Sequence, residues 1–166
     1  MKNPILITLM FAVCVVSAQS NHDVFDALLK KYVDEKGWVD YAGLKKDSAE
    51  LNVYIGSLES DPPNDAWSEN RAKAFWLNAY NAYTLKLIIQ NHPLKSITDL
   101  DKPWDQPVAA INYESYTLND IEHKILREEF DDPRIHAGIN CASISCPKLA
   151  QEAFTENNVD DLLEVL

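Results

Sequence analysis

The chain has 166 residues, and its 26 Asp and Glu residues outnumber its 15 Lys and Arg residues, which gives a net charge of −11 at neutral pH. A surface this negative repels phosphate backbones and anionic lipid headgroups, and no dense Lys/Arg cluster offsets it. The composition therefore argues against nucleic-acid and membrane-surface binding. It leaves an unidentified small molecule or protein as the expected partner.

Residues 1–18 have the three features of a cleavable signal peptide in the usual order. Lys2 and the α-amino group form a positive start, an apolar run extends from Ile5 to Val16, and Val16-Ser17-Ala18 predicts cleavage before Gln19. The apolar run is shorter than the roughly 18–20 residues that span a bilayer. A retained membrane anchor is the competing interpretation. We expect an exported protein, periplasmic or secreted, with no membrane insertion after cleavage.

The remaining residues, 19–166, fit a single domain that is large enough to bury a hydrophobic core. An apolar stripe predicts a first helix from about Asp23 to Lys36, with Gly37 as its C-cap. Trp38–Tyr41 is predicted as a short extended piece, and a second helix is expected over about Asp47–Leu58.

A third helix, from about Ala66 to Asn91, is apolar nearly all round, and such a helix is buried nearly all round. Asn78 and Asn81 lie on this helix, and buried amides need hydrogen-bond partners. One interpretation is that they tie adjacent loops to the core. The other is that they bind or orient a ligand or a catalytic side chain.

Turn residues and alternating patterns dominate the second half of the chain. Val108–Ile111 and Tyr113–Tyr116 are predicted to form a hairpin, after which Thr117 caps a helix from Leu118 to about Phe130. Apolar residues at alternate positions predict a buried strand over Arg134–Asn140. A further helix is expected to begin at Pro147. The expected fold class is α+β, mostly helical, with a central buried helix and a small sheet built from these three strands.

The loop from Cys141 to Cys146 contains the densest group of reactive side chains. An oxidising compartment favours a disulfide between these two cysteines. Alternatively, the positive end of the helix expected after the loop would lower the pKa of a Cys141 thiol, as in a nucleophile or a reversible redox thiol. Zinc binding would need His123 and His136 as well, and C-x4-C is a weak zinc signature. Inert thiols complete the alternatives, and no metal or cofactor is predicted.

The histidines near this loop are the candidate bases. His123 would activate Cys141 by proton transfer, with Glu122 orienting its imidazole. The alternative is that His123 is an ordinary surface or boundary residue of its helix. His136, on the predicted strand, is expected to be a hydrogen-bonded core histidine, and it is also a candidate binding residue.

Three blocks, residues 75–83, 117–127 and 141–149, resemble the domain of unknown function 547 family, and residues 132–136 fit as well. The resemblance covers roughly residues 65–166 and is to the secreted bacterial type. The family has no established activity, so the resemblance implies a fold neighbourhood rather than a reaction.

Two departures from the family pattern bear on function. Family domains usually continue past the position of Leu166, so the chain resembles a C-terminally shortened copy. Plant members carry serine at the position of Cys146 and tyrosine at that of His123. The resemblance therefore implies neither a family-wide disulfide nor a family-wide Cys–His pair, although a bacterial subset could use either.

Two functional hypotheses follow. The favoured one is a non-catalytic binding or envelope-associated module in which Cys141–Cys146 is a structural disulfide. The alternative is a thiol-dependent hydrolase or acyl transferase in which Cys141 attacks, His123 is the base and Glu122 orients it, while Asn78 holds substrate or the oxyanion.

Overall fold

The computed structural model describes residues 22–143 and 145–166, so the predicted signal peptide lies outside the described residues. In chain order the elements are α1 (Asp23–Tyr32), α2 (Tyr41–Lys46), α3 (Ser48–Ser60), α4 (Glu69–Asn91), a 3-10 turn (Ile97–Asp99), β1 (Pro107–Ile111), β2 (Glu114–Thr117), a π-helical segment (Asp120–Leu126), α5 (Arg127–Glu129), α6 (Ile135–Gly138) and α7 (Val159–Val165). The fold is mostly helical with a small sheet, which confirms the predicted α+β class.

Helix α4 is the centre of the core, as its all-round apolar sequence predicts. Of its 23 residues, 16 are buried, and α2, α3, α7 and the π-helical segment pack around it. Ser68 caps its start, where the Ser68 hydroxyl accepts a hydrogen bond from the Arg71 N–H. Because most of α4 is buried, its buried polar side chains must find partners inside the protein.

The predicted hairpin is confirmed. β1 and β2 pair antiparallel, with Ile111 opposite Glu114. Asn112 and Tyr113 make the turn with φ of 52° and 64°, the left-handed conformation that a two-residue hairpin turn requires. Thr117 and Asp120 then exchange hydrogen bonds, since each side chain accepts from the other residue's N–H.

The predicted strand over residues 134–140 is wrong, and within the described residues the sheet has two strands. Residues Ile135–Gly138 form the short helix α6 instead. Asp132 starts this turn, because its carboxylate accepts from the Arg134 N–H and its carbonyl accepts from the Ile135 N–H. The buried positions are Ile135, Gly138 and Ile139, which is helical spacing. His136 is consequently exposed, and the expectation that it is a core histidine is also wrong.

Asp132 is held in place by charge. Its carboxylate lies 3.0 Å from Nζ of the buried Lys73 and 2.8 Å from the Arg134 guanidinium. The hydrogen bond from Arg134, assisted by Lys73, holds the pKa of Asp132 well below its usual range. Lys73 on α4 thereby fixes the start of α6.

Two boundaries in the first half also differ from the prediction. Helix α1 ends at Tyr32 rather than near Lys36, because Val33 pairs with Val39 in an antiparallel bridge. Residues from Tyr41 onward form α2, because the Asp40 carboxylate accepts from the Gly43 N–H and caps the helix.

The helix predicted from Pro147 is wrong as well. Residues 147–150 have no regular structure. The segment from Pro147 to Gln151 lies instead against the connection between α1 and α2, where Gln151 Nε2 donates to the Val33 carbonyl at 2.6 Å. The segment from Pro147 therefore meets residues that lie more than a hundred positions earlier in the chain.

Candidate functional site

A surface groove separates the α1–α2 connection from the cysteine loop. Its cavity volume is about 350 Å³. The residues that line it come from three segments of the chain, and they are Lys36, Gly37, Trp38, Val39, Tyr41, Lys95, Asn140, Ala142, Ser143, Cys146, Pro147 and Lys148.

The first wall is a tight turn that presents an indole to solvent. The Asp34 carboxylate accepts from the backbone N–H groups of Lys36 and Trp38, at 2.8 and 2.9 Å. The Asp34 N–H in turn donates to the Trp38 carbonyl. Trp38 is 63% exposed although its backbone is fixed at both its N–H and its carbonyl.

The second wall is the cysteine loop, which Asn140 closes. The Asn140 side chain accepts from the Ala142 N–H at 2.9 Å and donates to the Pro147 carbonyl at 2.7 Å, so it spans the loop. Cys141 and Cys146 are joined in a disulfide, with their Cα atoms 6.0 Å apart. Ala142 has a φ of 57°, a conformation that a residue with a side chain rarely adopts and that the surrounding loop must hold.

Asn78 and Asn81 anchor the segments on either side of this loop to α4. Asn81 donates to the Gly138 carbonyl and accepts from the Asn140 N–H, both at 2.9 Å. Asn78 donates to the Phe154 carbonyl and accepts from its N–H, at 2.7 and 3.0 Å. The structure thus places both amides against backbone groups of the segments that follow α5. Their roles in ligand binding stay predictions.

The residues of the thiol hypothesis are not joined to one another. Glu122 accepts from the Arg127 guanidinium at 2.8 Å and from the Tyr80 hydroxyl at 3.5 Å. Burial raises the pKa of Tyr80, so its hydroxyl stays protonated and donates. His123 is exposed, and among the described residues no hydrogen bond joins it to Glu122 or Cys141.

His136 belongs to the same surface cluster as Glu122. Its Nδ1 lies 3.4 Å from a terminal nitrogen of Arg127. Cys141, in a disulfide, has no thiolate with which to attack. The catalytic roles assigned to Cys141, His123 and Glu122 stay predictions.

In residues 22–143 and 145–166, no group of three or more His, Cys, Asp or Glu side chains is placed to hold a metal ion. Over those residues no helix has the length and apolar character needed to cross a bilayer.

Sequence reasoning found one wall of the groove and missed the other. The cysteine loop stood out by its reactive side chains, whereas Trp38 was assigned only to an extended piece. Lys36, Lys95 and Lys148 are far apart in the sequence, so no local motif joins them. The combination of Asp34 with Gly37 and Trp38 was the available signal, since Asp and Gly at these positions indicate a turn.

The structure defines a mostly helical α+β protein with a small groove beside a disulfide loop. In sequence, residues 64–166 match the family described as protein of unknown function, DUF547. This match spans more than half of the chain, so the protein belongs to that family, as the three sequence blocks indicated. Comparisons with curated proteins and with solved structures gave no match. Lys95 and the cysteine loop lie inside the matched residues, whereas the turn with Trp38 precedes them.

Proposed function

We propose that this protein is an exported, non-catalytic binding module and that the groove between the Trp38 turn and the cysteine loop is its ligand site. The observation that carries the proposal is the exposed indole of Trp38 on a fixed turn. An exposed tryptophan leaves a large apolar surface in water, and covering it with a ligand is favourable. Because the Asp34 hydrogen bonds already hold the turn, little backbone freedom is lost on binding.

The dimensions of the groove limit the ligand. A volume of about 350 Å³ lies near the lower end of the range of roughly 300–1,000 Å³ that is typical of small-molecule sites. The ligand is therefore a small molecule or a short segment of a polymer that continues beyond the groove. Nothing in this geometry needs a reacting group, which supports a binding role.

The disulfide supports both export and the binding role. Disulfides persist in oxidising compartments and are rare in the cytosol. A bonded Cys141–Cys146 pair stiffens the second wall of the groove and supplies no nucleophile. The thiol hydrolase would require the opposite state, a free Cys141 thiolate beside a base.

The redox state of the exported protein separates these two functions. We expect alkylation without reductant to leave Cys141 and Cys146 unmodified, and the intact mass to be about two units below that of the reduced form, because a disulfide lacks two hydrogens. Fast alkylation of Cys141 near neutral pH would show a thiol with a lowered pKa. That result would contradict the binding module and support the thiol enzyme.

Ligand binding is tested by screening a library of sugars, sugar acids, amino acids and dipeptides by NMR. We expect ligands that shift the Trp38 indole N–H resonance and that lose affinity in Trp38→Ala. The matched control is Tyr113→Ala, which removes an exposed aromatic ring at a residue that does not line the groove. Ligands that bind equally well to the wild type and to Trp38→Ala would overturn the proposed site.

A further inference from the structure

The groove is positive in a protein that is strongly negative. Three of its lining residues are lysines, Lys36, Lys95 and Lys148, and none of the described residues that line it is Asp or Glu. The whole chain, by contrast, has 26 acidic and 15 basic residues. A local reversal of sign against a net charge of −11 is an electrostatic feature of the site itself.

The groove lysines also differ from most other cations of the protein in their pairing. Within the described residues, seven Lys or Arg side chains lie within ion-pair distance of a carboxylate, namely Lys30, Lys31, Arg71, Lys73, Lys124, Arg127 and Arg134. Over the same residues, Lys36, Lys95 and Lys148 have no such partner. All three lysines line one cavity, and an anionic ligand there would supply the carboxylate partners that they lack.

Asp34, Glu35 and Asp40 are the acidic residues closest in sequence to the groove, and none of the three lines it. The Asp40 carboxylate caps α2 by accepting from the Gly43 N–H. The Asp34 carboxylate is engaged by the N–H groups of the Trp38 turn. Asp34 and Glu35 line a neighbouring cavity of about 150 Å³, which shares Lys148 with the groove. Glu35 is exposed and lies on that neighbouring side, so the groove keeps its positive lining.

The aromatic residues add a second requirement to the ligand. Trp38 offers an exposed flat face at the groove, and the half-buried ring of Tyr41 lines it. Burial raises the pKa of Tyr41, so its hydroxyl remains protonated and can donate a hydrogen bond. Flat aromatic faces pack against the C–H faces of sugar rings, whose hydroxyl groups then hydrogen-bond to polar groups at the edge.

We infer that the groove binds a short segment of an acidic carbohydrate, with a sugar ring packed on Trp38 and its carboxylates held by Lys36, Lys95 and Lys148. This inference rests on the proposed function and names its ligand class. The ligand meets both features of the site, the unpaired lysines and the aromatic face, and a polymer segment fits the small volume.

A phosphate ligand fits the site less well. Lysine ammonium groups bind phosphates and carboxylates alike, but inorganic phosphate has no ring face that could pack on Trp38. The net charge of −11 repels a long polyanion of either kind, so the ligand is a short segment that interacts with the local lysines.

Titration of the exported, oxidised protein with trigalacturonate tests this inference. Binding is followed by tryptophan fluorescence and calorimetry at about 0.02 M and about 0.2 M salt, which differ in Debye length. We expect saturable binding that weakens at the higher salt, and binding of a neutral trisaccharide or of inorganic phosphate that is weaker by about tenfold or more. Equal affinity for the acidic and the neutral trisaccharide, or binding of phosphate alone, would overturn the acidic carbohydrate.

Charge-matched variants locate the binding. The variant Lys36→Gln/Lys95→Gln/Lys148→Gln removes the groove lysines, and we expect it to bind trigalacturonate about tenfold more weakly. The control is Lys46→Gln/Lys86→Gln/Lys102→Gln, which makes the same change in net charge at residues that do not line the groove. We expect the control variant to change the affinity less than about twofold. Equal losses in the two variants would overturn the site.

Failure of this inference is distinguishable from failure of the proposed function. If neutral ligands shift the Trp38 resonance and trigalacturonate does not, the groove is a binding site for another class of ligand. If no ligand of either kind reaches Trp38, both proposals are wrong.

Discussion

Gly37 and Lys148 touch across the groove. A Cβ atom at Gly37 would lie 2.5 Å from the Cβ of Lys148 and 2.9 Å from the Leu149 backbone nitrogen. Gly37 also has a φ of 80°, which residues with a side chain rarely adopt. The two walls of the groove can therefore approach this closely only with glycine at position 37.

The first prediction is that Gly37→Ala separates the two walls. The substitution forces a strained backbone and a contact with backbone atoms that cannot move aside. We expect it to lower the free energy of unfolding by about 2–3 kcal/mol and to weaken ligand binding at Trp38. Urea denaturation and a fluorescence titration measure the two effects.

Gly56→Ala is the matched control. Gly56 lies inside α3, and a Cβ there meets nothing within 4 Å. Because alanine favours a helix over glycine, we expect Gly56→Ala to stabilise the protein by about 0.5–1 kcal/mol. An equal urea midpoint of unfolding for Gly37→Ala and the wild type would show that the two walls are not in contact at Gly37.

Sequence patterns predicted the elements that a single segment specifies, namely a helix that is apolar nearly all round and a hairpin with a short turn. The all-round apolar sequence of α4 and the β1–β2 hairpin are both found. The segment at 134–140 was predicted wrongly, because Ile135, Ala137 and Ile139 alternate as they would in a strand. The helix buries Ile135, Gly138 and Ile139 instead. Asp132 stabilises the start of the helix and is itself held by Lys73 from α4. That ion pair joins residues far apart in the chain.

The site was predictable only in part, for a related reason. Reactive side chains near Cys141 indicated one wall, and the need of Asn78 and Asn81 for partners gave, as one of two interpretations, loops tied to the core. The position of Trp38 opposite that loop depends on Gly37 lying against Lys148, which is a tertiary contact. A sequence pattern within a single segment cannot predict such a tertiary contact.

The second prediction concerns the amide of Asn81. Asn81→Asp keeps an acceptor for the Asn140 N–H but loses the donor to the Gly138 carbonyl and places a carboxylate in a buried site. We expect the substitution to lower the free energy of unfolding by about 2–4 kcal/mol, because a buried group is left without its partner and a buried charge is unfavourable. Chemical denaturation near neutral pH measures it.

Asn91→Asp is the control for Asn81→Asp. Asn91 lies at the end of the same helix, where its side chain donates to the Leu87 carbonyl and is exposed. We expect a change below about 1 kcal/mol for this surface substitution. Equal effects of the two substitutions would mean that Asn81 does not anchor the loop.

The third prediction concerns the disulfide. Joining Cys141 to Cys146 closes a short loop, and for such a loop the chain-entropy account gives a stabilisation of about 2 kcal/mol. We expect Cys141→Ser/Cys146→Ser to be destabilised by that amount and to bind groove ligands more weakly, because Ala142 and Ser143 line the groove. Denaturation of the wild type with and without reductant provides the comparison, and reductant should leave the double variant unchanged. Identical ligand affinities in the two proteins would show that the disulfide does not shape the groove.

The fourth prediction is a dependence of stability on pH that originates at His22. The imidazole is 4% exposed and hydrogen-bonds to the Tyr54 hydroxyl at 2.8 Å. Burial, assisted by the positive charge of Arg71, lowers the pKa of His22 from 6.5 to about 4. Between these two values the unfolded chain binds a proton that the folded protein does not. The free energy of unfolding should therefore fall as the pH falls from 6.5 to 4, by about 3 kcal/mol for a shift of this size.

Substitution isolates that effect from the carboxylates. Asp132 has a lowered pKa, so the stability that it contributes is lost only as the pH falls below its ordinary value of 3.8. His22→Gln should flatten the stability profile between pH 6.5 and 4, whereas His123→Gln, at an exposed position, should keep the slope of the wild type. Denaturation midpoints at half-unit steps of pH give the three profiles. Parallel profiles for the wild type and His22→Gln would show that His22 is protonated without loss of folding, and would assign the acid sensitivity to another group.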